Sequence, residues 1–270
     1  MASEVAEPGA DELRAMRSLA ERLARAAGAI QRERYETSFE IRTKSASIDL
    51  VTEVDHACEA LIVDGIRERR PDDAILAEEG GGSDHPSAHW RWIIDPLDGT
   101  TNFAHGYPRF CVSIGLEHQG ERAIGVVYDP LLDELYCAVR GQGATRNGDP
   151  IGVSGESELE RALVATGFAY DVRRSAEDNV SHFIAFVKRA RAIRRDGSAA
   201  LDLCYVACGR FDAYWELKLH PWDVAAGLLI VEEAGGRTSD LSGGPANHSG
   251  FECVASNGRV HEAVLEILGR

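Results

Sequence analysis

Apolar residues recur at helical spacing from Asp11 to Ile30, with Leu13, Met16, Leu19, Leu23 and Ala27 on one face and charged residues on the other. The pattern predicts an amphipathic helix, and the first eight residues, which lack it, are expected to be disordered. A second helix is predicted over 54–69, turning Cys58, Leu61, Ile62 and Ile66 inward. Arg67, Arg69 and Arg70 lie near its negative end, and Pro71 stops it. The period then shortens to that of strands over 74–78, 90–95, 110–116, 122–128 and 134–140, separated by Gly and Asp-Pro signals. Short turns between consecutive strands imply an antiparallel sheet. Asn147-Gly148 is a hairpin turn, and 162–166 is a further strand. The latter half alternates differently, with helices at 177–191, 199–208, 222–234 and 259–268 and strands at 211–216 and 253–255. Sheets sandwiched between helical layers follow from that order.

A chain of 270 residues can bury a substantial core as one domain over 9–270, or as two packed halves meeting near residue 150. It holds no apolar run long enough to cross a bilayer, and Met1–Pro8 lacks a basic region followed by an apolar one. A soluble, cytoplasmic protein without a membrane partner is expected. Six cysteines are scattered among apolar neighbours without a C-x-x-C pair, which reads as reduced core thiols. Against 29 Lys and Arg stand 44 Asp and Glu, a formal charge of −15 that disfavours a nucleic-acid partner; a solvated acidic surface explains most of the excess.

Chemistry concentrates in the run from Trp92 to Asn102, where Asp95 and Asp98 stand at the mouth of an apolar strand. Pro96 and Gly99 make the turn rigid, and Thr100 and Thr101 add hydroxyls able to orient a water. Hard cations such as Mg²⁺ take oxygen ligands and share their sites with phosphates, so the cluster points to phosphoryl chemistry. An ordinary capped turn also accounts for these residues. Pro96 occupies the position where aspartyl-phosphate hydrolases carry their nucleophile, which leaves attack by water. Other carboxylates sit at element ends: Glu78 and Glu79 before Gly80-Gly81-Gly82, Asp55 at the start of the second helix, and Asp223 after His220-Pro221-Trp222. Each taken alone reads as a strand exit or a first-turn acid stabilised by the helix dipole.

Asp95-Pro96-Leu97-Asp98-Gly99-Thr100-Thr101-Asn102, together with Trp222-Asp223-Val224-Ala225-Ala226-Gly227 running into Glu233-Ala234-Gly235-Gly236, resembles the inositol monophosphatase family of Mg²⁺-dependent, lithium-sensitive phosphatases. The match extends from about Lys44 to Leu268. The resemblance implies a layered α-β-α-β-α sandwich and a homodimer. It also implies two to three Mg²⁺ per site: Glu78, Asp95 and the carbonyl of Leu97 for the first, Asp95, Asp98 and Asp223 for the second, and a weaker third near Glu78. Glu78, Thr100 and Asp55 are then expected to orient and deprotonate the attacking water without a phosphoenzyme. Lys44, in Arg42-Thr43-Lys44-Ser45, matches a mobile catalytic loop, although a lone lysine is also an ordinary surface residue. Phosphate is expected on the amides of Gly99, Thr100 and Thr101.

On the substrate side the resemblance places hydroxyl contacts at Gly197, Ser198, Ala199 and Glu216, alongside Asp98 and Asp223, for a phosphorylated polyol or sugar. Arg194 and Arg195 are open to substrate, interface or surface roles. Gly197-Ser198 with Trp215-Glu216 is more like inositol monophosphatases than histidinol or phosphoadenosine phosphatases, and a fructose-1,6-bisphosphatase, histidinol phosphatase or NADP phosphatase activity is the alternative. Ala77 departs from the glycine that relatives carry before the paired glutamates. A non-catalytic, metal-binding regulatory protein is the competing reading from another class.

Overall fold

The computed structural model describes residues 8–44, 49–83, 85, 87–246 and 249–269. The chain opens with helix α1 (Ala10–Arg34), a hairpin of β1 (Ile41–Thr43) and β2 (Leu50–Thr52), and helix α2 (Glu53–Arg69). β3 (Ala74–Ala77), β4 (Trp90–Asp98), the short helix α3 (Thr100–Ala104), β5 (Cys111–His118), β6 (Glu121–Asp129), β7 (Glu134–Val139), β8 (Ala144–Arg146) and β9 (Asp149–Pro150) follow. The second half runs β10 (Leu163–Thr166), α4 (Val180–Val187), β11 (Ala192–Arg194), α5 (Ala199–Ala207), β12 (Ala213–Leu217), α6 (Pro221–Glu233), β13 (Arg237–Ser239), β14 (Glu252–Ser256) and α7 (His261–Leu268).

Strands β3 to β9 form one sheet in chain order, and a second sheet runs β11-β10-β12-β14-β13. Because strand side chains alternate between faces, each sheet presents two apolar surfaces and needs a cover on both. Met16, Leu23, Ile62 and Ile66 of α1 and α2 pack on Trp92, Ile94, Ile114 and Ile124. The opposite face, through Cys111, Val127, Tyr136 and Ala138, meets α5 and α6, which also pack on Tyr214, Cys253 and Ala255 of the second sheet. The far face of that sheet, Val164, Ala213, Trp215 and Val254, is covered by Phe186 of α4 and Val264 and Leu265 of α7. The order of layers is therefore α-β-α-β-α, as the sequence led us to expect.

How tightly the middle helices sit decides where the site forms. Gly115 and Gly125 face each other across β5 and β6. A Cβ on Gly115 would come within 2.8 Å of the Ala225 methyl, and one on Gly125 within 2.5 Å of the Ala226 carbonyl. Two glycines thus let α6 settle on the sheet, carrying Asp223 towards the end of β4.

Several local expectations are corrected. The first sheet is not wholly antiparallel: β3 and β4 run parallel, because the connection 78–89 is long enough to carry the chain back before it re-enters the sheet. The helix expected over 177–191 is limited to Val180–Val187, and Ala192–Arg194 is an edge strand paired with β10. The β1–β2 hairpin, α3, β8, β9 and β13 are too short to give a periodic signal. Asn147 and Gly148, both at positive φ, make the expected hairpin turn between β8 and β9. All six cysteines are free thiols. No helix among the described residues is long and apolar enough to cross a membrane. The expectation of disorder at the N-terminus falls, Pro8 apart, outside the described residues.

Candidate active site

In a regular strand, residues three apart point to opposite faces, which would separate Asp95 from Asp98. The register between β4 and β5 shifts between these two residues, and both carboxylates line one cavity of about 270 Å³. The strand expected to end at Asp95 in fact continues through this irregularity to Asp98. Asp95 Oδ1 accepts from the Leu97 amide at 3.0 Å, bracing the bend. Gly99, at φ 95°, lets the chain turn directly into α3. Gly99, Thr100 and Thr101 all line the cavity.

The Thr100 hydroxyl lies 2.9 Å from Asp55 Oδ1 and 3.0 Å from the Leu97 carbonyl. Asp55 does two things at once. Its Oδ2 accepts from the Thr52 amide at 2.8 Å and the Thr52 hydroxyl at 2.5 Å, forming the capping box that starts α2, and its other oxygen holds Thr100. The helix-capping contact and the hydrogen bond from Thr100 coexist in one side chain. Asp55 is fully buried and off the cavity surface, so it reaches the site through Thr100. Lys44, following β1, donates to Glu78 Oε1 at 2.8 Å and to Glu79. Ser45 lies outside the described residues.

From the other side of the cavity comes Asp223, the third residue of α6, whose Oδ2 accepts from the His220 amide at 2.6 Å. Glu216 on β12 accepts from the Tyr214 hydroxyl at 2.6 Å, and Gly167 leaves room for it, since a Cβ there would fall 2.1 Å from its oxygens. Gly197 and Ala199 line the cavity, whereas Ser198 is buried and donates to Asp98 Oδ2 at 2.6 Å, beside the Ala200 amide at 2.8 Å. The Ser198 side chain therefore serves Asp98 instead of opening on the cavity. Asn102 ties the two halves together, its Nδ2 donating to the carbonyls of Arg109 and Asp196, each at 2.7 Å. Of the two arginines, Arg195 lines the cavity, while the exposed Arg194 donates to the carbonyl of Ile193.

Like charges crowd this cavity. Burial, then the charges of Glu78, Asp98 and Asp223, push the Asp95 carboxyl well above the usual carboxylate range. Asp223 is raised by burial, Asp98 and Glu78. Burial also pushes Asp98 up to about 6, against the hydrogen bonds from Ser198 and Ala200, and Glu79 and Glu216 up to about 7. Burial opposes the Lys44 charge, yet Glu78 and Glu79 together outweigh it and hold the ammonium above its ordinary value. Such a concentration of acid is costly without cations, and four carboxylates with the Leu97 carbonyl are the donor set that hard divalent ions prefer. The residues fit Mg²⁺ in kind. Among the described residues, no three acidic, His or Cys side chains already converge as ligands, because Glu78 pairs with Lys44 and Asp98 and Asp223 each have one oxygen on an internal donor.

The rim of the cavity was not foreseen. Phe168, Ala169, Tyr170 and Val172 close one side and Lys218, Leu219, His220 and Trp222 another. His220 stacks on Trp222 with ring centroids 4.8 Å apart, and Lys218 donates to Asp171 and Ser175 at 2.7 and 2.6 Å, holding the two rim segments together. His220 and Trp222 adjoin Asp223 in sequence and could have been read as rim. The 168–172 segment carries no motif.

A layered αβ protein with a carboxylate-walled cavity where its two halves meet is the class that this geometry defines. The chain belongs to the inositol monophosphatase family, whose model matches residues 12–270. An inositol-1-monophosphatase from Synechocystis sp. is 47% identical over 229 residues, 85% of this chain and 80% of that protein. The Nus factor SuhB of Escherichia coli K12 is 43% identical over 251 residues, 93% of this chain and 94% of that one. Among solved structures, the inositol monophosphatase from Anabaena (Nostoc) sp. PCC 7120 matches with a TM-score of 0.86 and 43% identity, covering 95% of this chain and 96% of that chain. The Thermotoga maritima IMPase matches with a TM-score of 0.85 and 38% identity, covering 93% and 95%.

Proposed function

We propose that this protein is a Mg²⁺-dependent phosphatase that hydrolyses inositol monophosphate, or a similar sugar monophosphate, to the alcohol and phosphate. The observation that carries the reading is that Glu78, Asp95, Asp98 and Asp223 line one cavity, which Thr100, backed by Asp55, also lines. Glu78, Asp95 and the Leu97 carbonyl would hold one ion, and Asp95, Asp98 and Asp223 a second, with Asp95 shared and a third ion near Glu78. Bound there, Mg²⁺ supplies Lewis-acid polarisation of phosphoryl oxygens and an acidified water.

The protein's own groups do the rest. Thr100 Oγ1, with its hydrogen on Asp55, presents a lone pair to the proton of the attacking water, and Asp55 can receive the proton that Thr100 passes on. Glu78 orients the same water. The amides of Gly99, Thr100 and Thr101 face the phosphate. Glu216 accepts hydrogen bonds from substrate hydroxyls, with Gly197, Ala199 and Arg195 around them. Lys44 balances the charge of Glu78 and Glu79. Phosphate release from inositol 1-phosphate, fructose 1,6-bisphosphate, histidinol phosphate and NADP⁺, each with Mg²⁺ and with EDTA, tests the reading. Inositol 1-phosphate should be turned over fastest, only with Mg²⁺, and with inhibition by lithium. Another preferred ester would overturn the polyol assignment and leave the metal chemistry standing.

The 43% identity to the Nus factor SuhB over nearly both chains favours a second reading, in which this fold serves partner contacts. Absence of turnover on every ester would favour it. A homodimer in a cytoplasmic setting is compatible with either role.

A further inference from the structure

We infer that Glu59 is a positioning residue for Glu78, fixing the turn that presents it to the cavity; the inference rests on the metal reading proposed above. Glu59 lies on α2 one helical turn after Asp55 and is 5% exposed. Its Oε2 accepts from the Glu79 amide and its Oε1 from the Gly81 amide, each at 2.7 Å. One carboxylate thus grips both ends of the tripeptide that follows Glu78. Arg67, two turns further along the same helix face, donates to the Gly81 carbonyl at 3.0 Å. Below the grip, Ile75 and Ser83 exchange two backbone hydrogen bonds at 2.9 Å, closing the loop at its base.

Residue choice in the turn agrees with this role. A Cβ on Gly81 would sit 2.6 Å from Glu59 Oε1, so glycine is what allows the carboxylate to reach both amides. The turn follows a strand that ends at Ala77 and is anchored to β4 through the Glu78 amide, which donates to the Ile94 carbonyl at 3.2 Å. Ile75 and Ser83 close the base of the loop and Arg67 holds the Gly81 carbonyl, and Glu59 adds the two bonds that fix the amides directly after Glu78. Because Asp55 on the same helix holds Thr100 at 2.9 Å, α2 sets Glu78 and Thr100 relative to each other from one rigid element. Groups that orient ligands from behind are commonly worth 10- to 100-fold in metal affinity.

Glu59→Gln keeps the shape and puts an amide NH₂ where one of the two acceptors stood. Mg²⁺ binding by isothermal titration calorimetry should weaken by about 10- to 100-fold, and turnover should recover when Mg²⁺ is raised to saturation. Glu68→Gln, on the exposed side of α2, should bind Mg²⁺ as the native protein does. Mg²⁺ affinity of Glu59→Gln within twofold of native would overturn the inference, whereas a native protein that binds no Mg²⁺ sinks the metal reading itself. Should Glu59→Gln not fold, Gly81→Ala carries the same test, since its methyl group displaces the carboxylate while leaving its charge in place.

Discussion

Ser198 and Asp98 are joined by a 2.6 Å hydrogen bond that ties the N-cap of α5 to the end of β4 and so couples the two halves of the chain at the cavity. The hydroxyl donates to a carboxylate that burial pushes up to about 6 and that the Ser198 and Ala200 donors pull back. Removing the donor in Ser198→Ala leaves the charged form less stabilised, so the Asp98 pKa rises further. A hydrogen bond to a charged group contributes about 1.5–3 kcal/mol, which corresponds to roughly one to two pH units. The acid limb of the activity–pH profile should move to higher pH, and Mg²⁺ affinity at pH about 6 should fall. An unmoved limb would show that Asp98 titrates independently of Ser198.

Thr100→Val removes the hydroxyl that lies 2.9 Å from Asp55 while nearly preserving side-chain volume. Loss of a positioned proton acceptor should lower kcat by about 10²–10⁴-fold, and Thr100→Ser should restore most of it. Asp98→Asn should abolish turnover with the fold intact by circular dichroism. Comparable kcat for Thr100→Val and the native protein would remove Thr100 and Asp55 from the mechanism.

Glu216 fits against Gly167 with no space for a methyl group between them. Gly167→Ala should displace the Glu216 carboxylate and raise KM for a polyol monophosphate more than it lowers kcat, with Mg²⁺ affinity unchanged. Equal losses in kcat and in Mg²⁺ binding would place Glu216 with the metal side of the site instead.

Asp98, held up to about 6, and Glu79 and Glu216, held up to about 7, have folded-state pKa values above their ordinary ones. The metal-free folded state therefore binds more protons than the unfolded chain over this window, and these groups make it less stable as pH rises from about 4 to 7. The proposed Mg²⁺ ligands Asp95, Asp98 and Asp223 are all raised by burial and must be deprotonated to bind the ion, so its stabilising effect runs the other way. The rise in melting temperature on adding Mg²⁺ should grow between pH about 5 and 7.5. A constant rise across that range would rule out competition between protons and cations at these carboxylates.

The amino-acid sequence by itself determined the long helices, the central strands and the alternation of layers, because burial on one or both faces imposes a period that is visible locally in residues such as Leu19 and Leu23 or Val126 and Val127. It also showed the paired carboxylates and their family resemblance. Only the tertiary structure decided that β3 runs parallel to β4, that a register shift turns Asp95 and Asp98 into one cavity, and that Ser198 faces Asp98. Glu59 was equally hidden, since its partners lie 20 and 22 residues away and a glutamate on a helix carries no sign of them. Strand direction, side-chain partners and cavity walls are set by contacts between distant segments. They exist only once glycines such as Gly115 and Gly125 have let the layers close on one another.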